Sequence, residues 1–394
     1  MDYVITKNIL FSNKHLIKRN NRYFLCDEYD EKSILIYDNK FLKKNCIKTL
    51  FKVNAINEID TLFLEKYKNA LSYFPNDNIN LSDFVSCDEY KKYVNEIITS
   101  IEYAISIDRY YFAVFQKQDE FYHSFNESFI DKRVLLEHLK NKEDLQNSIL
   151  KNYVPNKQGF LQIPEYDRIS SRTGRVSIEQ GPNVLILNKK YRNIFKSRFK
   201  NGKILSLDFS SLETRIFMNF AGLSNIPIDI YQHIKEELFG DKNVDRGDVK
   251  KIVISLMYGA NDETINKNLN HISYKECEIL IKEIKEYICY ESCLDNLVKI
   301  FSNGVIQNLY GRKILTEERN VVNSFIQSTG VDLAIEGFIN IIKNNDNKHF
   351  IPLFFIHDAL IVDVDDGYEV KNEKVYIDKF QSYFPITISE FYKR

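Results

Sequence analysis

The chain has 394 residues, and its 54 Lys and Arg against 55 Asp and Glu give a formal charge of −1. That length favours two or three domains, while 44% hydrophobic and 28% charged residues exclude a largely disordered chain. No apolar run approaches the roughly 18 residues of a membrane-spanning helix, and the opening MDYVITKNILFSNK lacks the basic-then-apolar layout of a signal peptide.

The cysteines are Cys26, Cys46, Cys87, Cys277, Cys289 and Cys293. They form no CxxC pair and no His cluster joins them at zinc spacing, so reduced thiols and a cytoplasmic location are expected. Residues 1–50 read as short strands, Tyr3 to Phe11, Tyr23 to Cys26 and Ile34 to Tyr37, separated by Asn, Asp and Lys turns. The basic stretch Lys14 to Arg22 reads as a solvated face. Helical periodicity covers Ile59 to Phe74, then Glu89 to Ser106 with Tyr90, Tyr93, Val94, Ile97, Ile101 and Ile105 on one face. A further helix is predicted over Asp131 to Leu150, capped by Asp131, and irregular chain up to about Tyr191. Lys203 to Asp208 is a short apolar strand. Helical pattern returns at Asp229 and runs, with breaks, to about Ser302. Two short apolar runs flank a turn at Tyr310-Gly311-Arg312, Asn323 to Ile342 is a helix, and Pro352 to Val364 is a strand pair bent at His357-Asp358. Acid-bearing strands separated by a long helical insertion give an α+β fold with a catalytic sheet.

Four segments carry chemistry when taken together. In LDFSSLETR, Asp208 ends an apolar strand and Glu213 opens the following helical turn; alone, such an Asp is more often a helix cap than a metal ligand. In RGDVKKIVISLMYG, Arg246, Lys250, Ile254 and Tyr258 recur every four residues and share a helix face. Two cations one turn apart can grip a polyphosphate, although a lone R-x3-K is ordinarily a solvated basic face. In FFIHDALIV an Asp lies between two apolar strands, where a buried acid is costly unless it pairs or binds metal and a turn-forming Asp is the plainer alternative. In TGRVS, Gly174 permits close backbone approach and Arg175 offers a fork of donors. The set fits a phosphoryl-transfer site in which carboxylates from two strands hold divalent ions about 3.5–4 Å apart.

In order and spacing these segments resemble the motifs of family A DNA polymerases. TGRVS is similar to the family's T-x-GR-S segment, DFSSLETR to D-Y-S-x-I-E-L-R, RGDVKKIVISLMYG to R-x3-K-x7-Y-G, and IHDAL to V-H-D-E-L. Asp229-Ile230-Tyr231 sits where the family has D-I-H, Leu238-Phe239-Gly240 where it has V-F-G, and Tyr310-Gly311-Arg312-Lys313 at its G-R-R turn. Asn323 and Gln327 match an N-x3-Q helix start, with Asp332 downstream. The resemblance runs from about Gly159 to the C-terminus.

It implies a right-hand polymerase fold: an antiparallel palm sheet with helical fingers and thumb, beside a small N-terminal α/β region. The implied boundaries are 1–110 for an accessory region of unknown role, 111–190 for the thumb and start of the palm, 191–225 and 304–394 for the palm, and 226–303 for trimmed fingers. Asp208, Asp358 and the backbone carbonyl of Phe209 would hold two Mg2+ ions, with Mn2+ able to substitute. Arg246, Lys250 and Tyr231 would contact the triphosphate. Ile254 and Tyr258 would flank the nucleotide, and Glu213 would exclude a ribose 2′-OH. Thr173, Arg175, Arg312, Asn323, Gln327 and His357 would line the primer–template.

The implied partners are primer–template DNA and dNTPs, with no membrane; a protein partner at residues 1–110 stays open. The chain departs from the family at Ile254, where an aromatic is usual, at Ser255 for Gly, at Ala359 for Glu and at Ser211 for Gln. The short upstream region and the lack of a D-x-E strand imply no 3′–5′ exonuclease. Two other functions compete. A phage-type single-subunit RNA polymerase shares the basic helix and the His-Asp motif, but Glu213 argues for deoxynucleotides. A non-catalytic nucleic-acid-binding pseudo-polymerase has no need of both aspartates.

Overall fold

The computed structural model describes residues 3–5, 10, 12, 14–20, 22–28, 34–36, 81–83, 85–140, 147–168, 171–240, 244–269, 272–371 and 373–392. The expected helix over Ile59 to Phe74 lies outside them. The chain divides into two compact units, Met1–His123 and Ser124–Arg394; the expected boundary after residue 110 falls inside a helix.

In the first unit, β1 (Tyr3–Ile5), β2 (His15–Arg19), β3 (Arg22–Cys26) and β4 (Ile34–Ile36) form a sheet in the order β3-β2-β1-β4, with β4 parallel to β1. At the end of β2, where Arg19 pairs with Arg22, Asn20 adopts a positive φ of 51°. The stretch Lys14 to Arg22 therefore contains a strand the sequence reading did not mark, while its Lys14, Arg19 and Arg22 are exposed, as a solvated basic face requires. His15, Leu16 and Ile17 are buried, and Lys18 ion-pairs with Glu102 at 2.6 Å. The helix α1 (Cys87–Ile107) starts at a Ser86/Glu89 capping box and buries Tyr93 and Ile97 on its predicted face. It is followed by α2 (Arg109–His123), which contains residues 110 and 111.

The second unit is α+β. A short strand β5 (Ser128–Phe129) leads to α3 (Lys132–Lys140), where Asp131 Oδ1 accepts from the N–H groups of Arg133 and Val134 as the sequence predicts. Helix α3 is described as far as Lys140 and α4 is Asn147–Leu150; the part of the expected helix between them lies outside the described residues. The segment expected to be irregular holds β6 (Phe160–Leu161), β7 (Glu165–Asp167), β8 (Ser177–Gln180) and a 3-10 turn at Lys189–Ile194. These pieces are too short for periodicity to reveal.

From β9 (Lys203–Phe209) the chain enters α5 (Leu212–Phe220), the helical turn expected at Glu213. Then follow α6 (Ile230–Ile234), α7 (Arg246–Met257), α8 (Asp262–Lys267), α9 (Tyr274–Tyr287) and α10 (Tyr290–Ile300). A small meander, β10 (Phe301–Ser302), β11 (Val305–Gln307) and β12 (Lys313–Leu315), turns at the predicted Tyr310-Gly311-Arg312. It leads to the long α11 (Val321–Asn344), and β13 (Phe350–Ile356), β14 (Ala359–Val364), β15 (Lys374–Ile377) and β16 (Ser382–Glu390) complete the unit.

The main sheet has the order β13-β14-β9-β16-β15 and is antiparallel throughout. Side-chain alternation sorts its two faces. Leu207 and Phe209 point to α11, where the Phe209 and Phe338 rings lie 5.1 Å apart. Ile204, Phe354 and Ile361 point the other way, into a cluster with Leu135, Leu150, Tyr153, Tyr191 and Phe195. By length and composition α11 could cross a membrane, but it is a core helix with 72% of its apolar window buried. At Gly337 it comes so close to β9 that an added Cβ would sit 2.5 Å from the Phe209 ring. Gly337→Ala should therefore destabilise the fold by about 1–3 kcal/mol through overpacking, read as a lower urea midpoint; an unchanged midpoint would show that the ring can move aside.

Candidate active site

Strand register builds this site. Asp208 on β9 lies opposite Ala359 on β14, so it is a diagonal neighbour of Asp358 in the β13–β14 turn. The turn is tight, with Ile356 paired to Ala359 and His357 in the left-handed region at φ 56°. A non-glycine residue there is strained, and the surrounding sheet holds it. Burial raises both carboxyls, and mutual repulsion adds to it at Asp208, which is pushed up to about 7 from 3.8. Asp358 is raised by burial, with Glu213 adding to the effect. Both side chains keep exposed surface, so this is the partial desolvation of a cleft wall and leaves the oxygens open to a cation. Lys250 and Lys189 pull Asp208 back down.

After Phe209 the chain turns through Ser210 and Ser211, the latter left-handed at φ 55°. Ser210 is tied to β16 by its N–H to Pro385 O and its hydroxyl to Thr387. The turn aims α5 so that Glu213 faces the aspartates. Arg175 Nη2 donates to Glu213 Oε1 at 2.8 Å, the Tyr258 hydroxyl donates to Oε2, and Gln327 hydrogen-bonds that same hydroxyl. Four predicted residues from distant segments thus form one chain of contacts.

The helix α7 starts at a capping box between Asp245 and Asp248. Arg246 and Lys250 are exposed, Ile254 is half-buried and Tyr258 is 40% exposed at the C-cap, so the predicted face is the open one. Arg246 is held by Asp229, with Nε 2.8 Å from Oδ2, and this pairing lowers the Asp229 pKa against the cost of burial. Asp229 is itself set by Arg215, whose buried guanidinium donates to the carbonyls of Ser210, Pro227 and Ile228.

Two expected contacts are placed elsewhere. Tyr231 is 3% exposed, its hydroxyl bonds to Thr214 at 2.8 Å, and Arg246 and Lys250 lie over its ring at 5.5 and 5.9 Å. It supports the two cations and does not present its hydroxyl to a phosphate. Arg312 is 8% exposed and bidentate to buried Asp332, at 2.7 and 3.1 Å. Its guanidinium is the floor of the TGRVS loop: a Cβ on Gly174 would fall 2.5 Å from its central carbon. Thr173 is half-buried beside Ser171, and Asn323 Oδ1 is buried with no hydrogen-bond partner. His357 is exposed at the turn.

The sequence reading missed Lys189 and gave no role to Arg215 or to Asn183, whose Oδ1 is another buried oxygen without a partner. For Lys189 a signal existed: residues 189–203 hold seven Lys and Arg and no acid, a local surplus hidden in a net charge near zero. Arg215 closes the DFSSLETR motif, but its role is not legible there, because its partners are main-chain carbonyls.

Two carboxylates side by side suit a hard divalent cation that fills its remaining positions with water and phosphate oxygens. Among the described residues no third His, Cys, Asp or Glu completes an all-protein metal cage. Because the fold holds the Asp208 proton more tightly than the unfolded chain does, Asp208 costs stability as pH rises from about 4 to about 7. In metal-free buffer, Asp208→Asn should raise Tm by more at pH 8 than at pH 5, and Mg2+ should raise the wild-type Tm at pH 8 but not that of the variant. Equal gains at both pH values would contradict the shift.

Residues 132–384 match the family model for DNA polymerase family A, a span containing both aspartates and α7. Among solved structures the chain resembles the POL domain of Pol1 from M. smegmatis in complex with DNA primer-template and dNTP, at 15% identity and a TM-score of 0.47, over 66% of this chain and 56% of that one. Among curated proteins, stretches of it resemble probable polyketide synthases 9/36 and 6 of Dictyostelium discoideum. Each is 28% identical, over 35% and 41% of this chain, and the chain spans 4% of the length of either. The family match extends over more than half of the sequence and takes in the site just described: the chain belongs to DNA polymerase family A.

Proposed function

We propose that this chain is a template-directed DNA polymerase that adds dNTPs to a primer 3′-OH by two-metal phosphoryl transfer and carries no 3′–5′ exonuclease. The main sheet is the palm, helices α6 to α10 are reduced fingers, and the segment before Thr173 supplies the thumb. The observation that carries this reading is the register that sets Asp208 beside Asp358 under the cationic face of α7.

In this reading Asp208, Asp358 and the Phe209 carbonyl hold the Mg2+ ions. When bound, these supply charge neutralisation and activation of the attacking hydroxyl. The chain's own groups do the rest. Lys250 and Arg246, resting on the Tyr231 ring, hold the triphosphate in line and take up charge as pyrophosphate leaves. Arg246 must exchange Asp229 for phosphate to do so. Tyr258 and Ile254 bound the nucleotide pocket. Glu213, fixed between Arg175 and Tyr258, fills the space a 2′-OH would need. Arg175, Gln327, Asn323 and His357 face the primer terminus.

Primer extension tests this directly. Wild type should extend a DNA primer with dNTPs, and Asp208→Asn or Asp358→Asn should each lower the rate by at least about 10³-fold, the scale of losing charge stabilisation in a transition state. A wild type as inactive as both variants would favour the binding-module alternative. In the same assay without nucleotides, a labelled primer with a mispaired end should keep its length; metal-dependent shortening would refute the absence of proofreading. Glu213→Ala should raise the NTP/dNTP incorporation ratio by about 10- to 100-fold, the worth of one steric contact. Tyr258→Phe, which frees one Glu213 oxygen, should raise it less. An unchanged ratio in Glu213→Ala would remove the residue from this role and revive the RNA polymerase alternative.

A further inference from the structure

Asp208 stands between two unlike neighbours. Across the ladder on the β14 side it faces Ala359, a bare methyl, and on the β16 side it faces Thr387. Residues paired in this way point to one face with their Cβ atoms about 4.5–5.5 Å apart, so Thr387 is the polar neighbour of the Asp208 carboxyl. Ser210 joins them. Its N–H donates to Pro385 O at 2.9 Å, which carries the β9–β16 ladder one residue past Phe209. Strand alternation then returns Ser210 to the face of Asp208, and the Ser210 and Thr387 hydroxyl oxygens meet at 2.7 Å. Thr387 is exposed and Ser210 half-buried, so the pair lies open beside the carboxyl.

A hydroxyl pair across two strands can serve simply to hold a turn. Here the main-chain bond to Pro385 already ties the turn to β16, and a solvent-exposed hydroxyl pair adds little net stability. The hydrogen inventory points elsewhere. Each hydroxyl has one hydrogen and two lone pairs. Whichever of the two donates, the other keeps its hydrogen, and no acceptor among the described residues takes it. The pair thus offers one spare donor and unused lone pairs next to Asp208. A hard divalent cation on Asp208 and Asp358 fills most of its shell with water, and among the described residues no third His, Cys, Asp or Glu completes it. Groups that hydrogen-bond a ligating carboxylate from behind are worth about 10- to 100-fold in metal affinity.

We propose that Thr387 and Ser210 are positioning residues for the divalent cation held by Asp208. Their lone pairs accept from a water on the cation, and their spare hydrogen goes to the Asp208 oxygen that the cation leaves free. Neither hydroxyl ligates the cation. The support is one-sided by necessity: Asp358 occupies one flank of Asp208, Ala359 has nothing to offer, and only β16 brings a polar side chain. The inference rests on the polymerase reading for the presence of the cation.

Mn2+ binding to the full-length chain, without DNA or nucleotide, is measured from the electron paramagnetic resonance signal of the free ion. Wild type should bind Mn2+, and Asp208→Asn should abolish that binding. Thr387→Val keeps the shape of the side chain and suits a strand, so it should fold with an unchanged urea midpoint in EDTA, yet weaken the Mn2+ Kd about tenfold. Thr387→Ser, which restores the hydroxyl, should return the Kd to within about twofold of wild type. Ser210→Ala should cost as much as Thr387→Val. The double variant should cost no more than either, because the two hydroxyls act as one unit.

An unchanged Kd in Thr387→Val, an equal loss in Thr387→Ser, or losses that add in the double variant would overturn the inference. So would a wild type that binds no Mn2+, or binding that survives Asp208→Asn, since the ion would then sit elsewhere. The readout needs no catalysis, so the two readings fail separately. A chain that extends primers while Thr387→Val binds Mn2+ as wild type does would sink this inference alone. Hydroxyl-dependent binding in a chain that extends no primer would sink the polymerase reading alone.

Discussion

Placing two negative charges side by side is the constraint on which the rest of the structure depends. The antiparallel register of β9 and β14 puts Asp208 diagonally beside Asp358, and the nearby cations, Lys250 and Lys189 at Asp208 and Arg175 at Asp358, offset only part of the cost of burial. The cost shows as proton affinities above the ordinary carboxylate range. A fold keeps such an arrangement only where the surroundings over-determine it. They do so here: β9 is the central strand, flanked by β14 and β16, with Phe209 sealed against α11 on one face and Ile204 in the opposite cluster on the other.

A second set of buried polar contacts holds the groups facing the aspartates. Arg215 ties four carbonyls around the turns on either side of α5, which sets Asp229, which in turn holds Arg246. Asp332 holds Arg312, and the flat guanidinium gives Gly174 a surface to lie on, so that Arg175 reaches Glu213. Each chain starts from a buried charge whose hydrogen-bonding capacity is met by fixed partners, the condition under which burying an ion is tolerable. Removing either arginine would leave orphaned acceptors far from the chemistry and still displace a residue that takes part in it.

The motifs made most of the site legible. Asp208, Asp358, Glu213, Arg246, Lys250 and Tyr258 can be picked out because spacing on a strand or a four-residue helix period fixes which side chains share a face. The same logic located α1, α11, β9 and the β13–β14 hairpin. It failed for Tyr231 and Arg312, where motif position suggested ligand contact but burial assigned support. A sequence pattern fixes the residue type at a position, not the depth of the helix that carries it. It also failed for β2, whose lysines and arginines outweighed three buried residues in the reading, and for the short strands between Gly159 and Tyr191.

By itself the sequence determined which elements exist where periodicity is strong, the family, and the pairing of acids with a cationic helix face. It did so because those properties are local: a few neighbouring residues decide them. Tertiary structure alone decided that Glu213 is gripped by Arg175 and Tyr258 and that Arg246 rests against Asp229. These depend on strand register and on how far each helix lies from the sheet, which are set jointly by contacts between segments that can be more than a hundred residues apart. The near-zero net charge shows the difference most plainly. As a sum it carries no mark of nucleic-acid affinity, yet folding separates its terms, gathering acids where β9 meets the β13–β14 turn and cations on α7.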